Sequence, residues 1–326
     1  MSQPTISSVH VNRPLTNVAI AFAQDLTNFV AMQAFPGVPV NNMSDSYFTF
    51  DRAQFLRSVA QFRAAGAAAM RSGYDVSTST YKCQRQALGH AIPDPVRRNA
   101  DAPLNLDAKA AEYVTLQLYL AVEVNWATSF FGTGIWTGSS SGSDITPGTT
   151  WENAASTPIE DVRAQQRALL TNTGYEGNIL VFGRKCFDNL LDHPDIIDRI
   201  KYTAGASNPA RGSREILAQL FGVERVLVAN ATRNTAEEAR AGSYSLISGT
   251  RNAMLVHAPS SPSLTEPSAG YTFLWDGDGA GNQMGMSIKR YRDEEHESDI
   301  IEGGIWYDHV VTSAALGVFF SNAVAA

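Results

Sequence analysis

Cysteine is nearly absent from this chain. Its 326 residues hold two, Cys83 and Cys186. They lie far apart and in no Cys-x-x-Cys pair, a spacing that excludes a zinc ribbon or a redox dithiol; they read as buried thiols of a reducing cytoplasm. Lysine is scarce as well, with five among 25 basic residues, and nowhere do lysine and arginine form a run. At net charge −7 the chain lacks the basic face of a sequence-reading nucleic-acid binder. Charged residues make up 17%, below the roughly 25% of an ordinary soluble domain. No apolar run reaches 18 residues, so no membrane-spanning helix is expected. The opening Met1–Leu15 has no positive segment followed by an apolar core, so it does not read as a signal peptide.

The signatures of catalysis are equally thin. Gly138 to Gly142 matches Gly-x-Ser-x-Gly, but it sits in a Gly/Ser/Thr loop and not between a strand and a helix. Gly277 to Gly281 resembles part of a dinucleotide loop, yet Asn282 replaces the third glycine. As a calcium loop it offers Asp276 and Asp278 and then fails at Ala280; a hairpin turn is the simpler reading. His10, His90, His193, His257, His296 and His309 form no metal-ligand spacing. His309 beside Asp308 reads as a satisfied structural pair. No catalytic residue, metal or cofactor is therefore assigned.

What the chain does have is apolar content, 44% over 326 residues, enough for one large domain or two to three lobes. Twenty of the 25 basic residues are arginine, which suits bidentate ion pairs at subunit contacts and is equally a mark of GC-rich coding. The five tryptophans, Trp126, Trp136, Trp151, Trp275 and Trp306, read as core and interface anchors.

Residues 1–43 read as an extended arm, since Pro36 and Pro39 keep 34–39 out of a helix. Residues 44–51 and 76–92 are β-prone, and the alanine-rich stretch between them has no aliphatic stripe to bury. Strand, irregular tip, strand makes a projection with little core of its own. A helix is predicted from Asn105, its cap, to about Phe130. It carries two apolar stripes, one through Val114, Leu118, Val122 and Trp126 and one through Tyr113, Leu116, Leu120 and Val124, which predicts burial on more than one side. Gly132–Thr150 is a natural lobe boundary.

A second helix opens at Ser156-Thr157-Pro158 and runs to about Asn172. Short helices are expected at 184–191, 194–200 and 213–221. Strands are expected at 178–183, 224–229, 244–247 and 252–257. Gly270–Asp276 and Met284–Arg292 read as the arms of one hairpin, with an acidic stretch at 293–299 after it. Ile305–Phe320 should end inside a core.

This order of parts resembles the major capsid proteins of tailed bacteriophages over nearly the whole chain. The local wording adds to it: Ser79 to Cys83, Arg98 to Leu104, His193 to Tyr202, Phe221 to Val228 and Pro267 to Phe273. The resemblance implies an α+β phage major capsid fold. Residues 1–43 would be an N-terminal arm and 44–95 the E-loop. Residues 96–150 with 270–311 would be a peripheral domain holding the long spine helix, and 151–269 with 312–326 an axial domain. It implies pentamers and hexamers that close into an icosahedral shell around double-stranded DNA, held without sequence-specific contacts and without a membrane.

The implied partners are further copies of the chain, a portal protein, a separate scaffolding protein and a possible decoration protein. The scaffold is taken as separate because the residues before 44 show no heptads. The tip, Ala60 to Val76, has no lysine, so covalent cross-linking between copies is not expected. Two charged segments without obvious partners are predicted to meet between subunits: Arg57, Arg63 and Arg71 on the projection, and Asp293, Glu294, Glu295, Glu297 and Asp299 in the acidic stretch. An encapsulin-like nanocompartment shell and a soluble α/β enzyme are the alternative readings.

Overall fold

The computed structural model describes residues 24–100, 105–201, 213–238, 240–262, 266–276 and 286–325. The turn motif at Gly277–Asn282 and part of Arg98–Leu104 lie outside them. After a 3-10 turn at Leu26–Asn28 the chain makes one helical turn, Ala31–Ala34, stopped by Pro36, and continues as β1 (Gly37–Val40). The next strand, β2 (Ser44–Phe50), pairs antiparallel with β3 (Val76–Lys82). Between them stand a single helical turn, Arg52–Phe55, and irregular chain. Then come β4 (Gln84–Pro93) and the short helix Asp94–Arg98.

The strut helix spans Leu106–Phe130, with the Asn105 side chain accepting the Ala108 N–H at 3.2 Å. At ~1.5 Å per residue it is roughly 38 Å long. Val114, Leu118, Val122, Trp126 and Phe130 form one fully buried row at i, i+4 spacing. The second stripe departs from the expectation: Tyr113 is exposed, and Leu116, Leu120 and Val124 are only half-buried. The cause is geometric, because the helix lies across β4 and one long strand on a single side.

The second half alternates helix and strand: helix Pro158–Thr173, β5 (Ile179–Gly183), helices Arg184–Leu191, Pro194–Lys201 and Arg214–Phe221, then β6 (Arg225–Ala229), β7 (Thr232–Asn234), β8 (Tyr244–Leu246) and β9 (Ala253–Val256). Last come β10 (Gly270–Trp275), β11 (Met286–Asp293), β12 (Ser298–Val311) and β13 (Gly317–Phe320). Pro158 stands in the first turn and Gly174 closes the helix at φ 81°.

Two sheets carry the body. One has the order β1-β10-β12-β11, with β4 also on β12. The other, β13-β9-β5-β6, is buried on both faces, which explains the unbroken apolar runs of β5 and β9. Side-chain alternation divides its residues between two cores. Val181, Leu227, Met254 and Phe319 face the strut helix, while Leu180, Phe182, Leu255 and Phe320 face the short helices.

One expectation is corrected and two segments gain detail. β10 and β11 are not a hairpin: each pairs with β12, and the true hairpin is β11–β12 across the turn Glu294–Glu297. The described part of the expected arm is anchored to the body, with Val30, Ala31, Ala34 and Phe35 buried in the main core. Gly132–Thr150, expected as a boundary between lobes, is tied down. It is stitched to the C-terminal segment through Thr137 N–H to Ala314 O, Gly138 N–H to Gly317 O and Ile145 N–H to Phe319 O. The C-terminal run ends in a core as expected, with Phe319 and Phe320 wholly buried.

Candidate assembly surface

Among the described residues the projection is the part of the chain that the body covers least, its Leu56 side chain coming close to the body at Gly174. It is rooted by Tyr81, stacked on Phe273 at 4.4 Å, and by the Lys82 N–H, which donates to Asp308 Oδ2 at 2.9 Å. Lys82 thus sits at the root, as the sequence places it. Only 44–82 leave the body. Residues 84–93, counted with the projection from sequence, pair along β12 from Pro93↔Ser298 to Gln84↔Tyr307; β-propensity alone does not say which strand is the partner.

The tip is richer in apolar surface than its alanine content suggests. Phe48, Phe50, Phe55, Leu56, Phe62, Met70 and Tyr74 are all exposed. Phe50, Phe55 and Tyr74 meet one another at 5.4–6.2 Å. Phe62 is fully exposed. Arg57, Arg63 and Arg71 are exposed alongside them, and from Arg52 to Tyr74 there is no acid. Cationic and aromatic together, such a surface suits a desolvated contact with an acidic partner.

The acidic stretch is already partly engaged. Asp299 takes Arg290 at 2.8 Å and Arg97 at 3.0 Å, and the Arg290 hydrogen bond holds its carboxyl below the usual range. Asp293 accepts from His296 Nδ1 at 2.8 Å, and Arg292 reaches Glu294 at 3.7 Å and Asp94 at 2.6 Å. The premise that these acids lack partners is therefore corrected for Asp293, Glu294 and Asp299. Glu295 and Glu297 lie exposed on the turn, and Glu297 adopts φ 42°. Within one chain no ion pair joins these acids to Arg57, Arg63 or Arg71 among the described residues.

The residues weighed for chemistry are placed otherwise. Ser140 lies in a turn, its N–H bonded to Gln165, while Ser139 Oγ donates to the Ser143 carbonyl. Asp308 and His309 do not pair: adjacent on a strand, they point to opposite faces, and His309 Nδ1 meets Thr272 Oγ1 at 3.0 Å. Among the described residues no three ligating side chains gather to hold a metal ion. Trp126, Trp136 and Trp151 are fully buried, and Trp275 and Trp306 meet edge to face at 4.8 Å. Both cysteines are buried free thiols.

The family described as phage major capsid protein E matches residues 139–239. The major capsid protein of Pseudomonas phage JBD67 is 22% identical over 320 residues, covering 97% of this chain and 98% of its own. A phage-related protein from Bordetella bronchiseptica RB50 superposes with a TM-score of 0.69 at 23% identity, covering 93% of this chain and 94% of that one. The capsid of cyanophage P-SCSP1u gives 0.62 at 10% identity over 98% and 94%. The fold is that of the phage major capsid proteins. The resemblance read from the sequence is borne out in the fold and in the partial family match.

Sequence reasoning passed over two features. One is the ring-bearing tip, which Phe48, Phe50, Phe55, Phe62 and Tyr74 announced within a segment lacking any core. The other is Glu123, wholly buried on the strut helix, a lone acid in an otherwise apolar stretch.

Proposed function

We propose that copies of this chain assemble as pentamers and hexamers into an icosahedral shell around phage double-stranded DNA, with no enzymatic role. One observation carries the reading: the body closes its own cores, while the 44–82 ribbon exposes rings and arginines that the rest of the described residues leave open. Shell subunits need obligate interfaces of about 2,000–5,000 Å², and such a ribbon supplies reach. In this reading 44–82 is the E-loop and Leu106–Phe130 the spine helix of a peripheral domain formed with β4, β10, β11 and β12. The β13-β9-β5-β6 sheet and its helices are the axial domain. Arg57, Arg63 and Arg71 meet the acidic turn of a neighbour, chiefly Glu294, Glu295 and Glu297. A separate scaffolding protein guides closure in the host cytoplasm, a portal protein occupies one vertex, and a decoration protein can bind outside.

Electron microscopy of the expressed chain, alone and with a co-expressed scaffold, tests the proposal. Closed shells are expected with the scaffold. A chain that stays monomeric in both, with its ribbon protected from protease, would overturn it. Regular shells from the chain alone would remove the scaffold from the reading.

A further inference from the structure

We propose that Phe62 of one copy seats in an apolar notch between β4 and the strut helix of a second copy, with Arg63 against that copy's acidic turn. The inference rests on the shell reading above and names the contact within it.

The notch is a cavity of about 120 Å³ walled chiefly by Ala91, Pro93, Val96, Leu106 and Ala110, with Tyr113 and Lys109, the latter paired with Glu112, also lining it. That is the scale of a single aromatic ring, since an apolar cavity of roughly 150 Å³ takes up benzene. Tyr113 is exposed at its side, edge-on to His90 at 5.9 Å, a geometry that favours a further ring. Phe62 is the most exposed ring of the projection and stands beside Arg63: Phe48, on β2, is less exposed, and Phe50, Phe55 and Tyr74 already contact one another.

Charge sets the orientation. The notch ends at Pro93, which pairs with Ser298, and the Asp94 N–H donates to the Glu297 carbonyl at 3.0 Å. The Glu294–Glu297 turn therefore adjoins the notch. Phe62 and Arg63 are consecutive, so a ring and a cation side by side on the tip match an apolar seat and an acidic turn side by side on the body. A ring in an apolar pocket with a charged rim is the arrangement of an interface hot spot.

A near-atomic map of the assembled wild-type shell reads the contact directly, and Phe62 is expected in the notch of a neighbouring copy. Shells whose notch is empty, or filled by any other group, overturn this inference and leave the capsid reading intact. Failure of the wild-type chain to form shells under any condition overturns both. As a second measurement, Phe62→Ala should raise the concentration needed for assembly by about tenfold or more, while Phe62→Trp stays near wild type. The monomer's melting temperature should not change in Phe62→Ala, because the ring is fully exposed among the described residues; unchanged assembly by Phe62→Ala overturns the seat.

Discussion

The carboxylate of Glu123 accepts the main-chain N–H of Ala31 at 2.8 Å and that of Val30 at 2.9 Å, tying the entry segment to the strut helix. The same segment is held by Arg225 to the Gln33 carbonyl at 3.2 Å and by β1 pairing with β10. It is thus a strap across the strut helix and both sheets. Glu123→Ala would leave two buried donors without acceptors, each worth roughly 1–3 kcal/mol. A loss of about 2–4 kcal/mol in urea unfolding is expected, together with earlier protease cleavage near residue 30. Glu123→Gln keeps one acceptor oxygen and should fall between the two. A Glu123→Ala chain as stable as wild type would show that the strap does not depend on this carboxylate.

The same carboxylate makes a pH prediction. Burial pushes Glu123 up from 4.5 to about 7, against the pull of the Ala31 and Val30 N–H groups. A raised acid contributes stability that is complete below about pH 4.5 and is lost as pH rises through about 7. Burial pushes His309 down from 6.5 to about 4, so its contribution is complete above 6.5 and lost as pH falls through 4. The two slopes oppose between about pH 4.5 and 6.5 and mask each other. His309→Phe removes one of them. That variant should lose stability from pH 5 to pH 8, read from urea midpoints, and adding Glu123→Gln should flatten the curve.

How much of this was legible in sequence depended on whether a residue's role is local. The Asn105 cap, Pro158 in a first turn and the apolar β5 and β9 act within a few residues, and their elements form as read. Pairing is not local. β10 and β11 carry the pattern of a hairpin, yet both pair with β12, because nothing in either strand specifies its partner. Phe29 to Phe35 are plainly apolar, but two nearby prolines suggested an arm, and the groups that hold them inward, Glu123, Arg225 and β10, all lie far off in sequence. The exposed tip is the reverse case: its rings had no visible core to join, and they join none among the described residues.

Reversing the charge at Arg63 tests the intersubunit pairing. The residue is exposed and makes no intrachain ion pair among the described residues, so Arg63→Glu should leave monomer stability unchanged. Assembly should weaken, and its dependence on salt should diminish, since each exposed pair contributes only ~0–1 kcal/mol but recurs in every copy. Assembly yield and salt sensitivity equal to wild type would remove Arg63 from the contact.

Both thiols should be inert in the folded chain. Burial raises Cys83 to about 11 and raises Cys186 further still, and a protonated thiol is a poor nucleophile. Mass spectrometry after iodoacetamide at pH 8 should find neither labelled in the native protein and both labelled in urea. Rapid native labelling of Cys83 would mean that the root of the projection opens.

Gly317 tests the seam between the loop after the strut helix and β13. Its backbone is extended, at φ −134°, so a side chain is excluded there by space and not by torsion. A Cβ would run into the ring of Trp136, which is buried and donates Nε1–H to the Phe130 carbonyl at 2.8 Å. The indole cannot yield without losing that bond. Overpacking of this kind costs roughly 1–3 kcal/mol, and Gly317→Ala should lower the urea midpoint accordingly. Gly148→Ala is the matched control in the same loop, because nothing lies within 4 Å of its added methyl. If the two variants unfold alike, the seam is not the packed joint that its hydrogen bonds describe.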